Sequence, residues 1–110
     1  MKHLLFDLID CPPDLLDDED FVRLSAWNAA KESKSELINI SCHKFKPQGI
    51  TALAMLADSH LSIHTWPEKN IAKCDIFTCS DKAKPEKAVE YLGEALEAEQ
   101  IDSDTFDRLL

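Results

Sequence analysis

From His3 to Ile9 the chain alternates, with Leu4, Phe6 and Leu8 on one side and His3, Leu5 and Asp7 on the other. That period of two predicts a half-buried strand, ended by Cys11-Pro12-Pro13. The acidic run Asp17-Asp18-Glu19-Asp20 then precedes Phe21, Val22, Ala26, Ala29 and Ala30 at helical spacing. Carboxylates thus sit at the positive end of an amphipathic helix of about three to four turns, and the charge run needs no other explanation. Alternation returns from Leu37 to His43, with Ile38, Ile40 and Cys42 on one face, and Pro47-Gln48-Gly49 makes a turn. The nearly all-apolar segment Ile50 to Ala57 reads as a central strand. Residues 60–66, rich in β-branched and aromatic side chains, read as another that stops at Pro67. Residues 71–79 alternate again around Ile71, Lys73, Asp75, Phe77 and Cys79, giving a fifth strand. Pro85 suits a first helical position before Ala88, Val89, Leu92, Ala95 and Leu96, and a short terminal helix is expected from Thr105 to Leu110.

Strands joined by short turns favour an antiparallel sheet, and two amphipathic helices cover only one of its faces. The fold class expected is therefore α+β, a two-layer antiparallel sheet with helices on one face. The uncovered face asks for a partner, which a homodimer supplies by packing two sheets into a four-layer αββα sandwich.

With 110 residues the chain is one domain, and its 45% apolar content is enough for a core. The formal charge of −9, acidic in both halves, argues against tracking nucleic-acid phosphates and against acidic membrane surfaces, but does not repel a cationic small substrate. No apolar stretch approaches the roughly 20 residues of a transmembrane helix, and Asp7 and Asp10 interrupt the N-terminal run before a signal-peptide core forms. A cytoplasmic location is expected. Cys11, Cys42, Cys74 and Cys79, with no CxxC pair, then read as free thiols.

Asp58-Ser-His-Leu-Ser-Ile-His-Thr-Trp-Pro-Glu68 concentrates two histidines, three hydroxyls, two carboxylates and a tryptophan in eleven positions. It fits either an edge strand with a solvated polar face or a reactive centre. A zinc site from His60, His64, Cys74 and Cys79 is weak, because histidines four apart on a strand and a C-x4-C spacing match no familiar ligand pattern. No metal is expected.

Here the chain resembles the small prokaryotic type of S-adenosylmethionine decarboxylase proenzyme, a pyruvoyl-dependent family of polyamine synthesis. The resemblance is carried by His3-Leu4 through Asp7 and Cys11, by Phe45-Lys46-Pro47-Gln48-Gly49-Ile50-Thr51, by Ser59 through Glu68, and by Asp75-Ile76-Phe77-Thr78-Cys79. It implies self-cleavage between Asp58 and Ser59, leaving a β chain of residues 1–58 and an α chain of residues 59–110 that begins with a pyruvoyl group derived from Ser59. A serine hydroxyl attacks the preceding carbonyl to give an ester, a base removes the serine Cα proton in β-elimination, and hydrolysis leaves a ketone able to form a Schiff base with a substrate amine. The resemblance implies His64 as the processing base, Thr51 as the group holding the cleavage intermediate and Cys79 as the proton donor after decarboxylation. Phe45 would stack on adenine and Glu68 would bind the ribose hydroxyls of S-adenosylmethionine. In a regular strand Ser59 and His64, five apart, point to opposite faces, so a bulge or a chain end at Ser59 is expected. Asp58 stands where the family usually has glutamate, and Ala52 where it has glycine. The alternatives are a pyruvoyl-dependent arginine or ornithine decarboxylase on the same scaffold, and a non-cleaving, non-catalytic homologue.

Overall fold

A computed structural model of the chain describes residues 1–109. Its elements are β1 (Lys2–Ile9), α1 (Pro13–Leu16), α2 (Glu19–Glu32), β2 (Leu37–Lys44), β3 (Ile50–Leu56), β4 (Ser59–Trp66), a 3₁₀ turn (Pro67–Lys69), β5 (Ile71–Thr78), α3 (Pro85–Ala95) and β6 (Gln100–Asp107). The strands form one sheet in the order β2-β3-β4-β5-β1-β6, and every neighbouring pair is antiparallel. The expected α+β sheet with helices on one face is what the chain adopts.

Leu4, Phe6 and Leu8 of β1, Ile50, Ala52, Ala54 and Leu56 of β3, Leu61 and Ile63 of β4, and Ala72, Cys74 and Ile76 of β5 are buried on the helix side. Val22, Ala26, Ala29 and Ala30 of α2 and Ala88, Val89 and Leu92 of α3 complete this core. The small residues let α2 lie close to the sheet and to α3, where Asn28 Nδ2 donates to Tyr91 Oη at 2.8 Å. Asp18 caps α2 by accepting from the Phe21 N–H at 3.0 Å, a contact worth about 1 kcal/mol. The acidic run therefore does the work that its position implies.

Two expectations are corrected. Residues 100–107 form a sixth strand in place of the helix expected from Thr105; Leu110 lies outside the described residues. The strand is favoured because β1 would otherwise present an open edge, and because Ile101 drops into the space above Gly93, where a Cβ would clash with Ile101 Cδ1. In β2 a register shift between Leu37 and Asn39 turns Ile38 outward, 57% exposed, so Leu37 rather than Ile38 shares the inner face with Ile40 and Cys42.

Among the described residues, nothing covers the opposite sheet face. It carries His3, Leu5, Leu53, Met55, His60, Ser62, His64, Trp66, Asp75 and Phe77, and Leu53 and Met55 are 50% and 58% exposed.

Candidate active site

The residues singled out by sequence fall into two groups at opposite ends of β4. The first lies at the tip of the β3–β4 hairpin, where Ala57 and Asp58 make a two-residue turn and Leu56 pairs with Ser59. Asp58 takes the left-handed backbone at φ +60°, a region costly for most L residues but tolerated best by short polar side chains such as Asp. Ser59 is the first residue of β4, so it stands at a chain turn, with regular pairing and no bulge between it and His64. Cys79, just past β5, reaches the same tip. Its N–H donates to Ser59 Oγ at 3.3 Å, and its thiol donates to the carbonyl oxygen of Asp58 at 2.8 Å. A serine oxygen and a thiol thus address one peptide bond, the one joining Asp58 to Ser59.

The second group sits where β3 begins and β4 ends. Thr51 and His64 are paired across the strands, and Thr51 Oγ1 lies 3.0 Å from His64 Nδ1 in a hydrogen bond. They open into a cleft of about 250 Å³ also lined by Phe45, Trp66 and Glu68. Phe45 is 47% exposed and meets the His43 ring edge-on at 4.5 Å, so it is a cleft wall rather than a core residue. Gly49 adopts φ +105° and a Cβ there would lie 3.2 Å from the Thr65 carbonyl oxygen, so only glycine closes this turn without strain. Thr65, buried, ties the turn to α1 by accepting from Ile50 N at 2.9 Å and donating to Leu16 O at 2.8 Å. Within one chain Ser59 and His64 are not brought together. Five positions of strand separate them by about 17 Å.

A third cluster on the open face was given no role by sequence. His3 Nε2 and His60 Nε2 each lie 2.7 Å from Asp75 Oδ2, and Ser62 donates to Asp75 Oδ1. Burial works against ionising Asp75, but the bonds from Ser62, His3 and His60 outweigh it and hold its carboxyl below the usual range. The signal that could have found it is strand parity. His3, His60 and Asp75 all occupy the open-face positions of neighbouring strands. These three are also the described residues whose ligand atoms could hold a metal ion, lying within 4.8 Å of one another, although hydrogen bonds already link them. His60, His64, Cys74 and Cys79 do not converge, since Cys74 is buried on the helix side.

All four thiols are free. Burial pushes Cys11 up to about 11, with help from Asp10, and burial raises Cys42 and Cys74 as well, which suits packing roles for those three.

Fold and side chains together define an α+β enzyme whose candidate chemistry centres on one serine, one thiol and one imidazole. The profile of the family described as S-adenosylmethionine decarboxylase matches residues 2–109. A protein of Synechococcus sp. (strain WH7803) named S-adenosylmethionine decarboxylase proenzyme is 50% identical over 97 residues, 88% of this chain and 76% of its own length. One of the same name from Parasynechococcus marenigrum (strain WH8102) is 47% identical over 107 residues, 97% of this chain and 84% of its own. The crystal structure of the adenosylmethionine decarboxylase from Aquifex aeolicus VF5 superposes with a TM-score of 0.91 at 33% identity, covering 99% of this chain and 90% of that one. The chain belongs to the S-adenosylmethionine decarboxylase family. The names favour that reading over arginine or ornithine decarboxylation.

Proposed function

We propose that the chain is a self-processing decarboxylase of S-adenosylmethionine, cut between Asp58 and Ser59, and that two copies together complete each active site. The observation that carries the reading is the thiol of Cys79 on the carbonyl oxygen of Asp58, with Ser59 Oγ held beside the same peptide bond.

Ser59 Oγ adds to the Asp58 carbonyl carbon, and the thiol donates to the oxygen where negative charge develops. The C–N bond then breaks and the nitrogen takes up a proton, leaving an ester between Asp58 and Ser59. The left-handed Asp58 backbone is held by the hairpin, and cutting the chain releases it. His64 removes the Ser59 Cα proton, the Oγ–Cβ bond breaks, and Asp58 leaves as a carboxylate. Water then releases the serine nitrogen as ammonia. The resulting pyruvoyl group supplies a ketone as electron sink for loss of CO₂. Residue 59 lies at a hairpin tip beside a thiol, which fits such a group with its proton donor at hand once the chain is cut.

His64 and Thr51 are about 17 Å from Ser59 in their own chain, so they act on the partner's Ser59. A two-fold axis near the middle of β4, close to Leu61 and Ser62, brings each Ser59 to the opposite His64 and covers Leu53 and Met55. Phe45 and Glu68 share the cleft of Thr51 and His64, where an aromatic plane and a carboxylate suit adenine and the ribose hydroxyls. Four free thiols agree with a reducing, cytoplasmic setting.

Intact mass under denaturing conditions tests the reading. The wild-type chain is expected as two fragments, residues 1–58 and 59–110, and the second to begin with pyruvoyl, whereas Ser59→Ala stays whole and releases no CO₂ from carboxyl-labelled S-adenosylmethionine. Two fragments from Ser59→Ala would refute it.

A further inference from the structure

The open-face cluster of His60, Asp75 and His3 has a use that follows from the atoms residue 59 loses. In the intact chain residue 59 is held by its peptide bond to Asp58, by pairing with Leu56, and by the Cys79 N–H on its Oγ. Processing as proposed above removes the first and the last. The Oγ departs as an oxygen of the new Asp58 carboxylate, and the nitrogen, the atom that joined residue 59 to Asp58, departs as ammonia. A strand end stripped in this way frays unless a side chain next to it is fixed.

His60 is that next residue. Its Nε2 lies 2.7 Å from Asp75 Oδ2 on β5, and its ring meets that of His3 on β1 at a centroid distance of 5.9 Å. Asp75 is itself fixed by His3, at 2.7 Å, and by Ser62. An ionised carboxylate only accepts, so both rings carry hydrogen on Nε2 and the carboxylate draws together three strands. The main chain at His60 also pairs with Phe77, and the ring of Phe77 lies 6.1 Å from that of His60.

We infer that His60, gripped by Asp75 and His3, is the positioning residue that keeps position 59 in register with Cys79 after the chain has been cut. The inference rests on the self-processing reading. It assigns His60 no proton transfer and no contact with substrate. Its effect is to hold the reactive end where a misplacement of about 1 Å costs on the order of a hundredfold in rate.

The test compares wild type, His60→Ala and His60→Gln by denaturing mass, steady-state kinetics with S-adenosylmethionine, and thermal melting of the cut protein. Asp75 keeps His3 and Ser62 in both variants, so folding is expected to survive. His60→Ala should still be cut, with kcat reduced at least about tenfold and KM changed much less. His60→Gln, which keeps an N–H donor of similar reach, should recover most of kcat. Hydrogen exchange at residues 60–62 of the cut protein should be faster in His60→Ala than in wild type. A cut His60→Ala with wild-type kcat overturns the inference. So does His60→Ala that folds and stays whole while His60→Gln is cut, because the contact would then belong to the precursor. An uncut wild-type chain in the same experiment sinks the processing reading itself, and is told apart by the single intact mass of 12.4 kDa.

Discussion

Coexpressing Ser59→Ala with His64→Ala separates a site shared by two protomers from a site contained in one. Each variant alone is expected to be inactive, the first without the attacking hydroxyl and the second without the base for elimination. The two positions lie about 17 Å apart along β4, beyond the joint reach of a serine and a histidine side chain. In a mixed two-fold dimer one site has both substitutions and the other has both native groups. Random pairing makes about half of the dimers mixed, so about a quarter of all sites work and about half of the His64→Ala chains are cut. Chains with different tags, measured by denaturing mass and by CO₂ release from carboxyl-labelled substrate, give both fractions independently. Sequential capture through the two tags gives the share of mixed dimers, and sedimentation confirms that the protein is dimeric. Mixed dimers that contain no cut chain would refute the shared site, and so would a protein that is monomeric and active at micromolar concentration.

Gly49→Ala forces a side chain into φ +105° and against the Thr65 carbonyl, which at about 1–3 kcal/mol should lower the melting temperature by about 4 °C or more; an unchanged melt would show that the turn is not tight. For Asp75, the folded carboxyl is held below its ordinary value, so its contribution to stability is fully present above about pH 4–5 and is lost as the pH falls through the lowered value. The stability difference between wild type and Asp75→Asn in urea should therefore shrink on acidification, and a difference that grows there would contradict the network.

The strands with one buried face were legible because burial imposes a period of two: Leu4, Phe6 and Leu8 announce β1 without outside help. β6 was not, since Gln100 to Asp107 is an exposed edge whose main anchors are the β1 ladder and the gap above Gly93, neither of which leaves a local pattern. Ile38 misled for a related reason, as a register shift of one residue exchanges the faces of β2. The dense segment from Asp58 to Glu68 held most of the candidate site, yet linear spacing hid that its two ends face different clefts. Only the parity mismatch between Ser59 and His64 pointed that way. His3 and Asp75 became visible as a unit only when the sheet set β1 beside β5.

Strand order also settles what a cut after residue 58 can and cannot do to the molecule. The first segment owns β1, β2 and β3, the second β4, β5 and β6, but in the sheet β1 lies between β5 and β6. The two pieces are interlaced like the fingers of two hands. Pulling them apart would require unzipping β1 from both neighbours and β3 from β4, while stripping Leu4, Phe6 and Leu8 out of the shared interior. Neither piece carries a complete sheet or a complete apolar layer of its own. A backbone opened at the hairpin tip is therefore expected to leave a molecule that still melts as one cooperative unit. Its halves should part only when the whole fold does.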